Sequence, residues 1–158
     1  MYAHVYVEIT NICNMQCSFC HGHGRAPRRM GMEEFTHILD QLAGYTRYIY
    51  YHLMGEPLTH PQLPEFLRLA GERGVKSIIT TNGTLLERRG EEILSAGVHK
   101  VNISVHSFEE GDADAHAAYI RAVLDRYGFQ NTESHLNEWN LHYFVKRRDE
   151  ARGASRTL

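Results

Sequence analysis

Apolar and polar positions alternate along Ala3–Ile9, with Val5, Val7 and Ile9 on one side and Tyr6, Glu8 and Thr10 on the other. A period of two predicts a strand. The period lengthens over Met32–Leu42, where Phe35, Ile38, Leu39 and Leu42 share one face of a predicted helix. Between them, Thr10–Gly31 carries glycines, a proline and no sustained period, and reads as a long loop. A second strand is predicted over Arg47–Leu53, followed by a loop over Met54–Pro61. The next helix starts at Pro64 and closes at Gly74, the usual proline-first, glycine-last arrangement. Val75–Thr81 predicts a third strand ending in Asn82-Gly83. Leu85–Ala96 predicts a helix closed by Gly97, and Lys100–Val105 a fourth strand.

Strand and helix therefore alternate, which defines the α/β class with parallel strands and helices packed outside. A doubly wound sheet buries both faces of its strands, so both should be apolar. Here the fourth strand sets Val101, Ile103 and Val105 against Asn102, Ser104 and His106. A polar second face suits repeated βα units curved into a partial parallel β/α barrel. Glu8, His52, Thr80, Asn82, Ser104 and His106 are expected to point into its lumen. Residues 1–111 read as this partial barrel, with the loop over 10–31, and residues 112–158 as a separate C-terminal segment. In that segment Asp114–Tyr127 predicts a helix, Ser134–Phe144 a strand, and the rest a charged tail.

Composition narrows the class further. The chain has 158 residues, 42% of them hydrophobic, and a formal charge of −2. The length suits one domain, and the charge gives no electrostatic footprint for nucleic acid. No run approaches the roughly 18 apolar residues that cross a bilayer, and no signal pattern opens the chain, so a cytoplasmic protein without a membrane is expected. Arg25, Arg28 and Arg29 cluster after the cysteines, where a solvated charge run is the simpler reading.

All 3 cysteines fall in Cys13-Asn14-Met15-Gln16-Cys17-Ser18-Phe19-Cys20. An odd, crowded set is a poor disulfide framework and points to metal. Three thiolates from one loop can take three corners of an iron–sulfur cluster. An electron-transfer cluster takes four protein ligands, so three leave one iron open to an outside ligand. The rival is a zinc site of the three cysteines with His21 or His23.

The spacing C-x3-C-x2-C after a first strand, with an aromatic before the last cysteine, resembles the radical S-adenosylmethionine superfamily. Three further motifs follow at strand ends over about residues 2–108. They are Met54-Gly55-Glu56-Pro57, Thr80-Thr81-Asn82-Gly83 and Asn102-Ile103-Ser104-Val105-His106-Ser107. Met54 stands where the family often has a glycine. The resemblance implies a 4Fe–4S cluster on Cys13, Cys17 and Cys20, with S-adenosylmethionine on its open iron. It implies reductive cleavage of the cofactor to a 5′-deoxyadenosyl radical that abstracts hydrogen from a substrate. Phe19 would lie near the adenine. Met54, Gly55, Glu56 and Pro57 would shape the methionine site, Glu56 offering a carboxylate to its ammonium. Asn82, Ser104 and His106 would be lumen contacts. The implied partners are a small-molecule or peptide substrate and an electron donor such as flavodoxin or ferredoxin. A protein partner covering the open barrel edge is also expected.

The last 47 residues of this layout leave little room for the two further βα units of that family. His135-Leu136-Asn137-Glu138-Trp139 is similar instead to the fourth-strand region of (β/α)8 glycoside hydrolases, which would make Glu138 an acid/base. No second carboxylate motif accompanies it. A truncated enzyme, a fragment and a hybrid joined near Glu109–Asp114 all fit this sequence.

Overall fold

The computed structural model of the protein describes residues 2, 4–18, 20–104 and 113–126. Its elements run β1 (Val5–Tyr6), α1 (Met32–Leu42), β2 (Tyr48–Tyr51), a 3-10 turn (Pro57–Thr59), α2 (Leu63–Glu72), β3 (Lys76–Thr81), α3 (Leu86–Ser95), β4 (Lys100–Ile103) and α4 (Ala113–Arg126). The strands form one 4-stranded sheet in the order β1-β2-β3-β4, and every pairing is parallel. Sequential, all-parallel order with a helix after each strand is the architecture that the alternating pattern predicts.

The core lies between the sheet and the helices. From the sheet come Val7, Ile9, Ile49, Tyr51, Ile79, Val101 and Ile103. From the helices come Phe35, Leu39, Phe66, Leu67, Leu86 and Ile93. These are the apolar stripes of each strand and helix, so burial follows period directly. Phe35 of α1 stacks on Phe66 of α2, with ring centroids 4.2 Å apart. Tyr51 is fully buried and its hydroxyl meets Ser77 Oγ at 3.2 Å. Its partner is needed, because a buried phenol without one is costly.

The other sheet face is polar and aromatic. The register sets Tyr6 beside Tyr50, Tyr50 beside Ile78, and Thr80 beside Asn102. Tyr6 packs on Tyr50 and His52 at 5.1 and 6.1 Å between centroids. Lys76 Nζ lies 5.9 Å from the centre of the Tyr48 ring. This is the polar second face that the alternation predicts.

The first strand is much shorter than the pattern predicts. The alternation extends to Ile9, whereas β1 pairs only over Val5–Tyr6. The backbone stays extended, but its partner changes. Val7 N still donates to Tyr50 O at 2.9 Å. Beyond it Ile9 O accepts from Met30 N at 2.8 Å and Asn11 N donates to Arg28 O at 3.2 Å. The strand thus passes from β2 to the returning end of its own loop. The strand predicted over 134–144 and the residues Asn137 and Glu138 lie outside the described residues.

Candidate functional site at the carboxyl ends of the strands

The cysteine loop is cinched at both ends. Thr10 and Arg29 form an antiparallel bridge. Asn11 is buried, donates from Nδ2 to Ala26 O at 2.8 Å, and accepts from Arg28 N at 2.7 Å. Thr10 Oγ1 donates to Arg28 O at 3.2 Å and accepts from Ile12 N at 3.1 Å. His23 Nε2 donates to Asn11 O at 2.9 Å, because a carbonyl can only accept. Its Nδ1 then accepts from Arg25 N at 3.0 Å. Both ring nitrogens of His23 are therefore engaged by backbone, and the structure does not bring this histidine to the thiols as a zinc ligand.

None of Cys13, Cys17 and Cys20 is in a disulfide, and Cys13 and Cys20 are exposed. Cys20 N donates to Cys17 O at 3.0 Å, which closes a turn and puts the last two cysteines on one bend. Cys13 Sγ accepts from Met15 N at 3.4 Å. Burial pushes the Cys13 thiol up, and the charges of Glu56 and Cys17 add to it. Among the described residues no three His, Cys, Asp or Glu side chains converge closely enough to hold one metal ion. What fits an iron–sulfur cluster is the donor set. It consists of three thiols, none in a disulfide, on one loop tied at its base, with no fourth cysteine in the chain.

The ends of β2 and β3 reach this loop. Glu56 N donates to Ile12 O at 2.9 Å, one residue before the first cysteine. Gly55 adopts φ +78°, and a Cβ there would meet Thr10 O at 2.5 Å and Asn11 C at 2.9 Å. Only glycine lets the two backbones come this close. Pro57 is buried and opens the 3-10 turn, and Met54 N donates to Glu8 Oε2 at 3.3 Å.

The Glu56 carboxylate is buried and turned into the fold. Oε1 accepts from Thr81 Oγ1 at 2.7 Å and from Leu58 N at 2.9 Å. Oε2 accepts from Asn82 N at 2.8 Å. Burial pushes its carboxyl above the ordinary carboxylate range, and these three donors oppose that shift. The side chain that sequence reasoning offers to an ammonium is here the joint between the ends of β2 and β3.

Asn82 is buried beside Cys13. Ser104 stands at the end of β4, half-buried, and donates from its backbone to Thr81 O at 2.8 Å. Asn102 Nδ2 donates to Thr80 Oγ1 at 3.4 Å, and its buried Oδ1 has no partner among the described residues. Glu8 pairs with Arg25 at 2.7 Å, and Arg28 pairs with Glu34. Two of the three clustered arginines are thus engaged by carboxylates. Phe19 and His106 lie outside the described residues. Sequence reasoning missed Asn11, Asn14 and Thr84, each of which acts through contacts across the fold. It also missed Tyr119 of α4, whose hydroxyl donates to Gly83 O at 3.0 Å.

Fold and site together define an α/β protein with a three-thiol loop seated where the first three parallel strands end. This chain belongs to the radical SAM superfamily, whose model matches residues 7–137. That match extends past the motifs over residues 2–108 and into the segment that weakly resembles a glycoside hydrolase. Members of this family use a 4Fe–4S cluster with S-adenosylmethionine. The chain is 32% identical over 111 residues to a GTP 3',8-cyclase of Chlorobaculum tepidum, covering 67% of this chain and 33% of that protein. It is 32% identical over 122 residues to a PqqA peptide cyclase of Bradyrhizobium diazoefficiens, covering 75% and 32%. It spans about a third of the length of the curated relatives it matches. The fold is similar to BtrN in complex with AdoMet and 2-DOIA, with a TM-score of 0.66 and 23% identity over 89% of this chain and 56% of that one. It is also similar to Streptococcus suis SuiB bound to S-adenosylmethionine, with a TM-score of 0.61 and 20% identity over 94% and 36%. No helix among the described residues is long and apolar enough to cross a membrane.

Proposed function

We propose that the protein holds a 4Fe–4S cluster on Cys13, Cys17 and Cys20 and binds S-adenosylmethionine at the carboxyl ends of its strands, for hydrogen abstraction from a substrate. The observation that carries this reading is the convergence of three strand ends on the cysteine loop. Glu56 N meets Ile12 O, Asn82 meets Cys13, and Gly55 packs on Thr10 and Asn11. Ligand sites at the carboxyl ends of parallel strands are the general rule. When bound, the cluster and cofactor supply the one-electron chemistry.

The chain's own residues supply position. Cys13, Cys17 and Cys20 are the ligands, and the cinch at Thr10, Asn11 and Arg28 fixes where their loop begins and ends. Met54, Gly55 and Pro57 give the cofactor a turn with an approachable backbone, and Glu56 holds that turn to β3. Ser104 offers a hydroxyl from β4. Phe19 and His106 keep the roles that the resemblance implies. The substrate is a small molecule or a peptide. Its range is framed by a GTP cyclase and a peptide cyclase among the relatives, and by a SuiB structure bound to precursor peptide SuiA. An electron donor of the flavodoxin or ferredoxin kind completes the reaction.

Anaerobic reconstitution with iron and sulfide, followed by EPR with and without S-adenosylmethionine, tests this. A reduced-cluster signal that changes on adding the cofactor supports the reading. Zinc retained in place of a cluster overturns it. Cys17→Ala removes the signal, and a full cluster in that variant overturns the ligand assignment.

A further inference from the structure

Asn82 sits in a network that does more than end a strand. Its Oδ1 accepts from Thr84 N at 3.0 Å and from the Thr84 hydroxyl at 2.7 Å. A backbone N–H can only donate, so the atom facing it must be the amide oxygen. That settles the orientation of the side chain and turns Nδ2 the other way. Nδ2 lies 3.0 Å from Asn14 Oδ1 and 3.9 Å from Cys13 Sγ. Asn14 closes the ring by donating from Nδ2 to Thr84 Oγ1 at 2.8 Å. The backbone of Asn82 is anchored separately, by the Glu56 carboxylate. Two consecutive residues of the cysteine loop, Cys13 and Asn14, are thereby tied to the turn after β3.

We infer that Asn82 is a positioning residue for the cluster rather than a contact to S-adenosylmethionine. Its amide N–H is aimed at the sulfur of the first ligand and raises the reduction potential of a cluster bound there. The inference rests on Cys13 being a ligand. Once on iron, that sulfur is a thiolate sharing the cluster's charge. A donor beside it stabilises the more negative, reduced form more than the oxidised one, and hydrogen bonds to sulfur are among the levers that set cluster potential. The ring through Thr84 and Asn14 keeps the amide from turning its oxygen toward the sulfur.

The test compares the reconstituted wild type with Asn82→Leu, a variant of similar shape that lacks the donor. Iron and sulfide are counted and the midpoint is read by EPR-monitored titration. The expected result is a loaded variant with a lower midpoint. Poised at the wild-type midpoint, its reduced-to-oxidised ratio should fall about fivefold, the worth of one ordinary hydrogen bond. Mere loosening, which lets water reach the cluster, moves the potential the other way because solvent favours the more charged form. A raised or unchanged midpoint in a loaded variant therefore overturns the inference. If Asn82→Leu holds no iron, Thr84→Val decides, since it keeps Asn82 but removes the hydroxyl that orients it. A lowered midpoint there supports the role, and an unmoved one overturns it. A wild-type chain that assembles no cluster overturns the ligand reading and this inference together. A wild type that loads, loses its cluster in Cys17→Ala and keeps its midpoint in Asn82→Leu removes only the role of Asn82.

Discussion

Gly55 and Glu56 show how two adjacent residues meet different demands. At Gly55 a side chain would face both a positive φ and a backbone oxygen 2.5 Å away. Backbone cannot swing aside as a flexible side chain can. Gly55→Ala should therefore cost about 3 kcal/mol or more, from left-handed strain plus overpacking, read by chemical denaturation of the metal-free protein. Glu56 faces three donors and no acceptor. Glu56→Gln keeps the shape but turns an NH2 group toward a donor, leaving buried groups unpaired. A loss of about 1–3 kcal/mol is expected in the same assay. Glu8 behaves oppositely to Glu56, because Arg25 beside it holds its carboxyl below the ordinary range. The unfolded chain takes up that proton at higher pH. The pair thus contributes fully above the ordinary carboxylate range, and its contribution fades as pH falls through the lowered folded value. Arg25→Ala should return Glu8 toward the ordinary value, as followed by carboxyl NMR. The cysteines, Gly55 and Glu56 stand out in the sequence because residue type and spacing carry the chemistry. Asn14 and Thr84 do not, because a polar residue in a turn is common and only the fold brings these two to Asn82.

Among the elements, helices were the more legible. Phe35, Leu39, Phe66 and Leu67 follow helical spacing, and α1 spans the predicted residues 32–42. The glycines at 74 and 97 end α2 and α3 as punctuation suggests. Strand lengths were less legible, since alternation reports which face is buried and not which chain is the partner. Residues 9–11 continue the extended chain of β1 but pair with residues 28–30 across the loop. The α1–α2 joint is the place to test the packed layer. Phe66 is fully buried and stacked on Phe35. Phe66→Ala should cost about 3–5 kcal/mol by denaturation, with the larger figure if α2 cannot settle into the gap.

For the whole molecule, metal and stability are linked. The proposed cluster on three thiols of one loop would bind the folded chain, and anything that binds only the folded state raises its apparent stability. Reconstitution should raise the thermal midpoint of the wild type under anaerobic conditions and leave Cys17→Ala unmoved. An equal rise in both would mean that the iron is held elsewhere. Among the described residues β1 and β4 are the two outer strands of the sheet. On the polar, aromatic face of the sheet Tyr6 is 51% exposed.

The bond from Glu56 to the far side of the site also orders events during synthesis. Cys13, Cys17 and Cys20 leave the ribosome before residues 56–84, but their loop is seated by Glu56, Asn82 and Thr84. A nascent chain that has not yet exposed Thr84 has the thiols and lacks their frame. Insertion of the proposed cluster into that frame would therefore wait until β3 and its turn have emerged. Until then the three thiols depend on whatever in the cell guards unloaded cysteines from oxidation.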